Sequence, residues 1–189
     1  VNPRRLVVGI SGSSAPIYGV RLLEVLRAAP GVETHLVLTR AAETTLRVEL
    51  PEWTPERVRA LAHASHDPED LAAPISSGSF PVLGMVVAPC SMKTLASIAT
   101  GAGGDLLARA ADVALKERRR LVLVPRETPL HLGHLRNMVA VTEAGGVILP
   151  PIPAFYQKPK GIADLVDHTV GKVLDLLGIE HALFRRWGE

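Results

Sequence analysis

A chain of 189 residues carrying a formal net charge of +2 has the length for one domain with a sizeable core and lacks the basic stripe of a nucleic-acid binder. Aliphatic residues dominate, with 47% hydrophobic against 4% aromatic, a composition suited to buried parallel strands covered by helices. One cysteine, Cys90, excludes an intramolecular disulfide, and no apolar run reaches membrane-spanning length or forms a signal segment over residues 1–10, so a cytoplasmic protein is expected.

In chain order, residues 5–10 read as a strand closed by the tight turn Ser11-Gly12-Ser13-Ser14-Ala15. Pro16 then opens a helix with an apolar face of Ile17, Val20, Leu23 and Leu26, stopped by Pro30-Gly31. Residues 32–38 form a second strand ending at Thr39, and a helix follows over 41–48. This β-α-β unit implies parallel strands and a right-handed crossover. Prolines punctuate residues 51–81, leaving a short helix over 56–62 and the hydroxyl-rich loop Ile75-Ser76-Ser77-Gly78-Ser79-Phe80. A buried strand over 84–89 runs into Cys90-Ser91-Met92-Lys93-Thr94 and a helix ending at Ala99. Residues 101–104 form a turn, Asp105 caps the next helix, and 121–124 is a strand. A helix over 132–144, a short strand over 147–149, a proline-stiffened loop to Tyr156 and a helix over 162–177 lead to a tail carrying Trp187. The pattern is one doubly wound α/β domain over residues 1–189, with three layers and a mostly parallel sheet.

The first turn joins a strand to a helix N-terminus, where exposed N–H groups and hydroxyls favour an anion such as a nucleotide phosphate. Its plain alternative is a tight turn with a capping serine. It matches neither G-x-G-x-x-G nor the Walker A pattern, and G-x-S-G is not the nucleophile elbow. Ser91, Thr94 and the backbone around them offer hydrogen bonds to a flat heterocycle, whereas Cys90 reads as a small buried hydrophobe. Arg109 and Lys116 stand two helical turns apart, on one face. Arg126-Glu127-Thr128-Pro129 lies just past a strand end, where open parallel sheets bind ligands. Cations, an Arg fork and a carboxylate are therefore expected to converge on one crevice, fitted to hold a phosphate and move a proton.

Plainer readings stand beside these. Asp112 is a helix-face partner for Lys116, Arg118-Arg119-Arg120 is a solvated helix end, and Glu49 is a solvated carboxylate. His63-x-x-His66 and His131-x-x-His134 each lack a clear third ligand, so surface or capping roles are expected and no metal.

Taken together, the segments resemble the UbiX-type flavin prenyltransferases. The matching blocks are Ser11-Gly12-Ser13-Ser14 with Tyr18-Gly19; Ser77-Gly78-Ser79; Pro89-Cys90-Ser91-Met92-Lys93-Thr94; Arg109 to Arg118; Arg126-Glu127-Thr128-Pro129; and Pro153-Ala154-Phe155-Tyr156. The resemblance implies a Rossmann-like or flavodoxin-like fold, and FMN and dimethylallyl phosphate bound without metal at a subunit interface of a homododecamer. It implies a product, prenylated FMN, delivered to a UbiD-type decarboxylase of the ubiquinone-pathway kind. By position, Gly12, Ser13, Ser14, Thr39, Ser91, Met92, Lys93, Thr94 and Arg126 are implied to hold FMN. Tyr156 and Lys172 are implied to bind the prenyl phosphate, with Arg109 and Lys116 adding charge and Ser77 and Ser79 donating hydrogen bonds.

The chemistry so implied is attack of N5 of reduced FMN on C1 of the donor as phosphate leaves, followed by bonding of C6 to C3. Glu127 then serves proton transfer at the phosphate, Glu49 takes the ring proton, Lys116 completes the catalytic set, and Trp187 walls an allylic cation. The donor stays open between phosphate and pyrophosphate. The chain departs from the family's usual residues at Ser13-Ser14-Ala15 (commonly Ala-Ser-Gly), Thr39 (Ser) and Lys172 (Arg). Two rival readings remain. One is an FMN-dependent decarboxylase of the phosphopantothenoylcysteine type, which uses a catalytic His in its first half. The other is a non-enzymatic flavin-carrying subunit of a decarboxylase, which would not need Glu49, Lys116, Glu127 and Tyr156.

Overall fold

The computed structural model describes residues 4–186 and Gly188. Its strands are β1 (Arg4–Ile10), β2 (Val32–Leu38), β3 (Ala64–His66), β4 (Gly84–Cys90), β5 (Arg120–Pro125) and β6 (Val147–Ile148). They pair in the order β3-β2-β1-β4-β5-β6, and every pairing is parallel. Both faces of the sheet are buried. Leu6, Val8 and Ile10 of β1 point into one apolar layer with Leu36, Val86 and Val122, whereas Val7, Val37, Met85 and Leu123 point into the other. That two-sided burial is why the strands read as continuous apolar runs rather than alternating ones.

Helices α1 (Ile17–Ala28), α2 (Arg40–Glu49), α3 (Pro55–Arg59) and α7 (Ile162–Leu176) contribute to the first layer. The second is covered by α4 (Met92–Thr100) and α5 (Leu106–Lys116), and α6 (Leu132–Glu143) packs on α4. The expected doubly wound three-layer fold is the one observed. Among the described residues no helix is long and apolar enough to cross a membrane.

Two features of this topology position the site. The strand order reverses between β1 and β4, so a crevice opens outside their carboxyl ends, the usual ligand position in such sheets. Each helix that links parallel strands also returns against the strand direction, so its N-terminus, with its unsatisfied N–H groups, sits at that same edge. Ser and Thr caps follow from this: Thr39 Oγ1 accepts from Ala42 N at the start of α2, and Ser91 Oγ accepts from Thr94 N at the start of α4. Asp105 caps α5 as expected, accepting from Ala108 N at 2.8 Å.

Three expectations need correction. Ala64–His66 is an edge strand beside β2, which three small or polar residues inside an irregular stretch do not announce. Arg118-Arg119-Arg120 is not a solvated helix end. Arg118 turns left-handed with φ +56°, Arg119 donates to the carbonyls of Phe80 and Gly78, and Arg120 already belongs to β5. Lys116 pairs with Glu117, and Asp112 pairs instead with Arg109 at 2.6 Å.

Candidate active site

A cleft of about 380 Å³ lies at the carboxyl edge of the sheet, with Gly12, Thr39, Ser91, Lys93 and Thr94 among its lining residues. Its floor is built by hydrogen bonds between neighbouring turns. Buried Ser11 donates its hydroxyl to the Pro89 carbonyl (3.0 Å) and accepts from Ser91 N (2.7 Å), which locks the end of β1 to the end of β4. Ser13 donates to the Arg126 carbonyl at 2.8 Å, tying the same turn to the end of β5. Gly12 is required for this approach, because a Cβ there would fall inside the van der Waals shell of Ala41 on α2. The N-termini of α2 and α4 thus face one cleft, whose partial positive charge suits an anion.

Glu49 is not merely solvated. At the far end of α2, its Oε2 accepts from Ala15 N at 2.8 Å. Ala15 itself has φ +67°, so the turn adopts at position 15 the left-handed backbone that glycine supplies without strain. Glu127 follows β5 in an exposed loop, with Oε1 accepting from Thr128 N at 2.9 Å. The Glu49 carboxylate is therefore tethered to the turn over 11–15 through Ala15, whereas for Glu127 it is the preceding backbone carbonyl, that of Arg126, that meets this turn at Ser13. Tyr18, in the first turn of α1, connects this group to α7. Its burial pushes the phenol pKa up, opposed by a hydrogen bond with Thr169 and by the charge of Arg126. Cys90 is fully buried and its thiol is pushed up to about 12 by burial alone, which removes it as a nucleophile at neutral pH.

Residues 1–175 match the Flavoprotein family. The flavin prenyltransferase UbiX of Escherichia coli is 55% identical over 186 residues, covering 97% of this chain and 98% of that protein. The chain belongs to the UbiX-type flavin prenyltransferases. A crystal structure of AnUbiX in complex with FMN and dimethylallyl pyrophosphate superimposes with TM-score 0.96 at 53% identity, covering 99% of this chain and 98% of that one. A dodecameric FMN-dependent UbiX-like decarboxylase from Escherichia coli matches with TM-score 0.95 at 52% identity, covering 98% of this chain and all of that one.

The UbiX-type residues fall into three groups. Gly12, Ser13, Ser14, Thr39, Ser91, Met92, Lys93, Thr94, Arg126 and Glu127 gather on the turns and helix starts at the carboxyl edge, and Glu49 reaches Ala15 of this group from the last residue of α2. Tyr156, in a 3₁₀ turn over Phe155–Gln157, and Lys172 sit by α7, where the Tyr156 hydroxyl is 3.1 Å from His168 Nε2 and Lys172 faces Asp175 at 3.8 Å. Arg109, Lys116, Ser77 and Ser79 form the third group. Arg109 donates to the Ser76 carbonyl, the Ser77 and Ser79 hydroxyls bond each other at 2.9 Å, and a Cβ on Gly78 would touch the Lys116–Glu117 pair.

The expected convergence of all the cations on one crevice does not occur within one chain. Because α5 runs against the strands, Lys116 lies about 15 Å along its axis from the N-terminal end that faces the cleft. Trp187 lies outside the described residues.

Sequence reasoning missed Arg40, Pro68 and Glu69 in the cleft wall. Arg40 carried a signal, since it directly follows the capping Thr39. Pro68 and Glu69 arrive only because the segment after β3 folds back to accept Leu106 N at the Pro68 carbonyl. The histidines have structural roles. His63 Nδ1 accepts from Thr34 N, His131 Nδ1 accepts from Gly133 N at the start of α6, and His66 stacks on buried His35.

Proposed function

We propose that this protein joins the dimethylallyl group of dimethylallyl phosphate to reduced FMN, releasing phosphate and forming prenylated FMN. The observation that carries the reading is the cleft lined by Gly12 and the capping Thr39 and Ser91, beside a turn that Ser13 ties to the Arg126 carbonyl, in a chain of the UbiX type. A glycine with no room for a Cβ and helix N-termini aimed at one space fit the phosphate of a flavin mononucleotide. Ser91, Met92, Lys93 and Thr94 supply polar and backbone contacts beside its ring, and Arg126 a fixed cation. Reduced FMN supplies the nucleophilic N5 and C6 that receive the five-carbon unit.

The chain's own groups do the rest. Tyr156 and Lys172 hold the donor phosphate, and Arg109 and Lys116 add charge where negative charge grows as that group leaves. Glu127 transfers a proton at the phosphate side, and Glu49, oriented by Ala15 N–H, accepts the ring proton. Lys172 in place of an arginine keeps the charge and loses the fork. Since α5 carries Lys116 away from the cleft, its cations and Ser77 and Ser79 serve the site of a neighbouring copy. The protein is thus a homo-oligomer with the active site at a subunit interface, and apolar Leu132, Leu135 and Val139, exposed along one side of α6, fit burial in such an assembly. We further propose a cytoplasmic location and a UbiD-type decarboxylase as the recipient of the product.

The decarboxylase rival requires a catalytic histidine at the flavin, and among the described residues none lines the cleft. The deciding experiment is anaerobic. Reduced FMN with dimethylallyl phosphate is expected to yield a flavin heavier by one C5 unit by mass spectrometry, with one phosphate released per flavin. Bound FMN without that adduct would overturn the assignment.

A further inference from the structure

His168 has no part in the roles above, yet it touches one of their principal side chains. It lies on α7 one turn before Lys172, half-buried between the loop that carries Tyr156 and the C-terminal tail. Its Nε2 is 3.1 Å from the Tyr156 hydroxyl, the two rings meet edge to face at 5.8 Å, and Phe184 of the tail covers it at 4.8 Å. We propose that His168 is a positioning residue for the donor phosphate, which it serves by turning the Tyr156 hydroxyl toward the anion. The inference rests on the reading that Tyr156 binds that phosphate.

With Nε2 unprotonated, the Tyr156 O–H donates to the imidazole, and the phenol oxygen presents lone pairs that repel phosphate oxygens. With a proton on Nε2, the imidazole donates to the phenol oxygen and the hydroxyl proton turns to the phosphate. An arriving phosphate therefore selects the second arrangement. The imidazolium fixes it without competition from the Nδ1–H tautomer, and adds a charge beside Lys172 that an anion favours.

The groups around His168 set the pH dependence. Tyr156 faces it from the loop and Phe184 from the tail, while Lys172 and Asp175 share its helix. Asp175 is itself engaged by His181 and Arg186 of the tail. Burial, then Lys172, hold the His168 pKa below its ordinary 6.5, and Asp175 pulls it back up. A bound phosphate anion raises it, so donor binding takes up a proton. Relative to a protein lacking the imidazole, donor affinity then increases as pH falls through the range in which the imidazole of the donor-bound protein takes up its proton. The ionisation of the donor's own phosphate is common to both proteins and cancels in their ratio.

The test uses the FMN-loaded protein with His168→Phe, which keeps the ring packing against Phe184 and removes the donor, and His168→Gln, whose amide retains a donor. His168→Phe is expected to raise both the KM for dimethylallyl phosphate and its Kd on the oxidised-FMN protein, read by calorimetry, by about five- to tenfold. The kcat and the bound FMN should change less than about twofold, and His168→Gln should restore binding to within about threefold of wild type. The affinity ratio of wild type to His168→Gln should grow as pH is lowered from about 8 to 5.5. An unchanged Kd in His168→Phe, a glutamine as damaging as phenylalanine, or a flat ratio would each overturn the proposal. Tyr156→Phe separates it from the reading beneath it. If that variant weakens donor binding while His168→Phe does not, only the role of His168 fails. If Tyr156→Phe binds donor normally, the role of Tyr156 falls and that of His168 with it.

Discussion

Ala15 is an L residue held at φ +67°, a conformation that costs it roughly 1–2 kcal/mol. The bond from its N–H to Glu49 and the start of α1 directly after Pro16 hold it there. Glycine removes the steric term but adds unfolded-chain entropy, so Ala15→Gly is expected to stabilise the protein by a net ~0.5–1 kcal/mol. The check is a higher urea midpoint with an unchanged slope, and a lower midpoint would show that the turn is not strained. Glu127 makes the converse case. Among the described residues its carboxylate accepts a hydrogen bond from the adjacent Thr128 N–H alone, so little folding energy depends on it. Glu127→Gln should slow turnover on the order of 100-fold or more while FMN affinity and urea midpoint stay near wild type. Equal losses in turnover and FMN affinity would make Glu127 a binding residue. Gly12, Thr39, Ser91 and Arg126 were legible in the sequence because each stands within two residues of a strand end. Glu49 reaching Ala15, and His168 meeting Tyr156, were not, since both contacts depend on helices laid across distant turns.

At the scale of elements, strands and helices follow from apolar runs and caps, and those signals fail where an element is short or its direction matters. The heptad spacing of Arg109 and Lys116 gave one helix face correctly. It carried no information on which end of α5 meets the cleft, and that end decides which cations belong there. The three-residue β3 is held partly by side chains. His66 accepts or donates at 3.0 Å to His35 Nδ1, with their rings stacked, while Phe80 meets His35 edge-on and Arg5 lies over Phe80. Burial lowers the pKa of both histidines; for His35 the charge of His66 and Arg5 adds to this against Glu33, and for His66 only Asp70 opposes it. A base whose folded pKa is depressed contributes stability that is present above its unfolded pKa and lost as pH falls through the folded one. The β2–β3 edge should therefore lose stability as pH drops below about 6.5. Urea unfolding from pH 8 to 5 is expected to show a steeper decline in wild type than in His66→Gln, and parallel declines would rule out this pair as the source.

At the scale of the whole molecule, the proposed site needs a second copy of the chain. In the proposed reading, the turns over 11–15, 39, 91–94 and 126–127 form one half of a site, and Lys116, at the far end of α5 from the cleft, belongs with Ser77 and Ser79 to the other half. A long rigid α5 buried against β4 and β5 cannot bend to close that distance, because Leu107, Ala111 and Ala114 are packed in the core. A second copy can close it without any internal motion, since a symmetric assembly presents every surface once per subunit. The consequence is specific. Glu127→Gln and Lys116→Ala should each reduce turnover to on the order of one per cent or less when every subunit carries the change. If both residues served one site within one chain, co-assembled mixtures would stay inactive, because no subunit would be intact. If they come from different subunits, equal mixing restores about a quarter of the sites, those in which a Lys116→Ala subunit supplies Glu127 and a Glu127→Gln subunit supplies Lys116. Co-expression of the two variants with distinct tags, double purification and the anaerobic prenylation assay give the measurement. Leu135→Asp on the apolar side of α6 provides the companion test: it should reduce particle mass in light scattering and abolish complementation together, whereas activity retained in a monomer would require the two halves to meet within one chain.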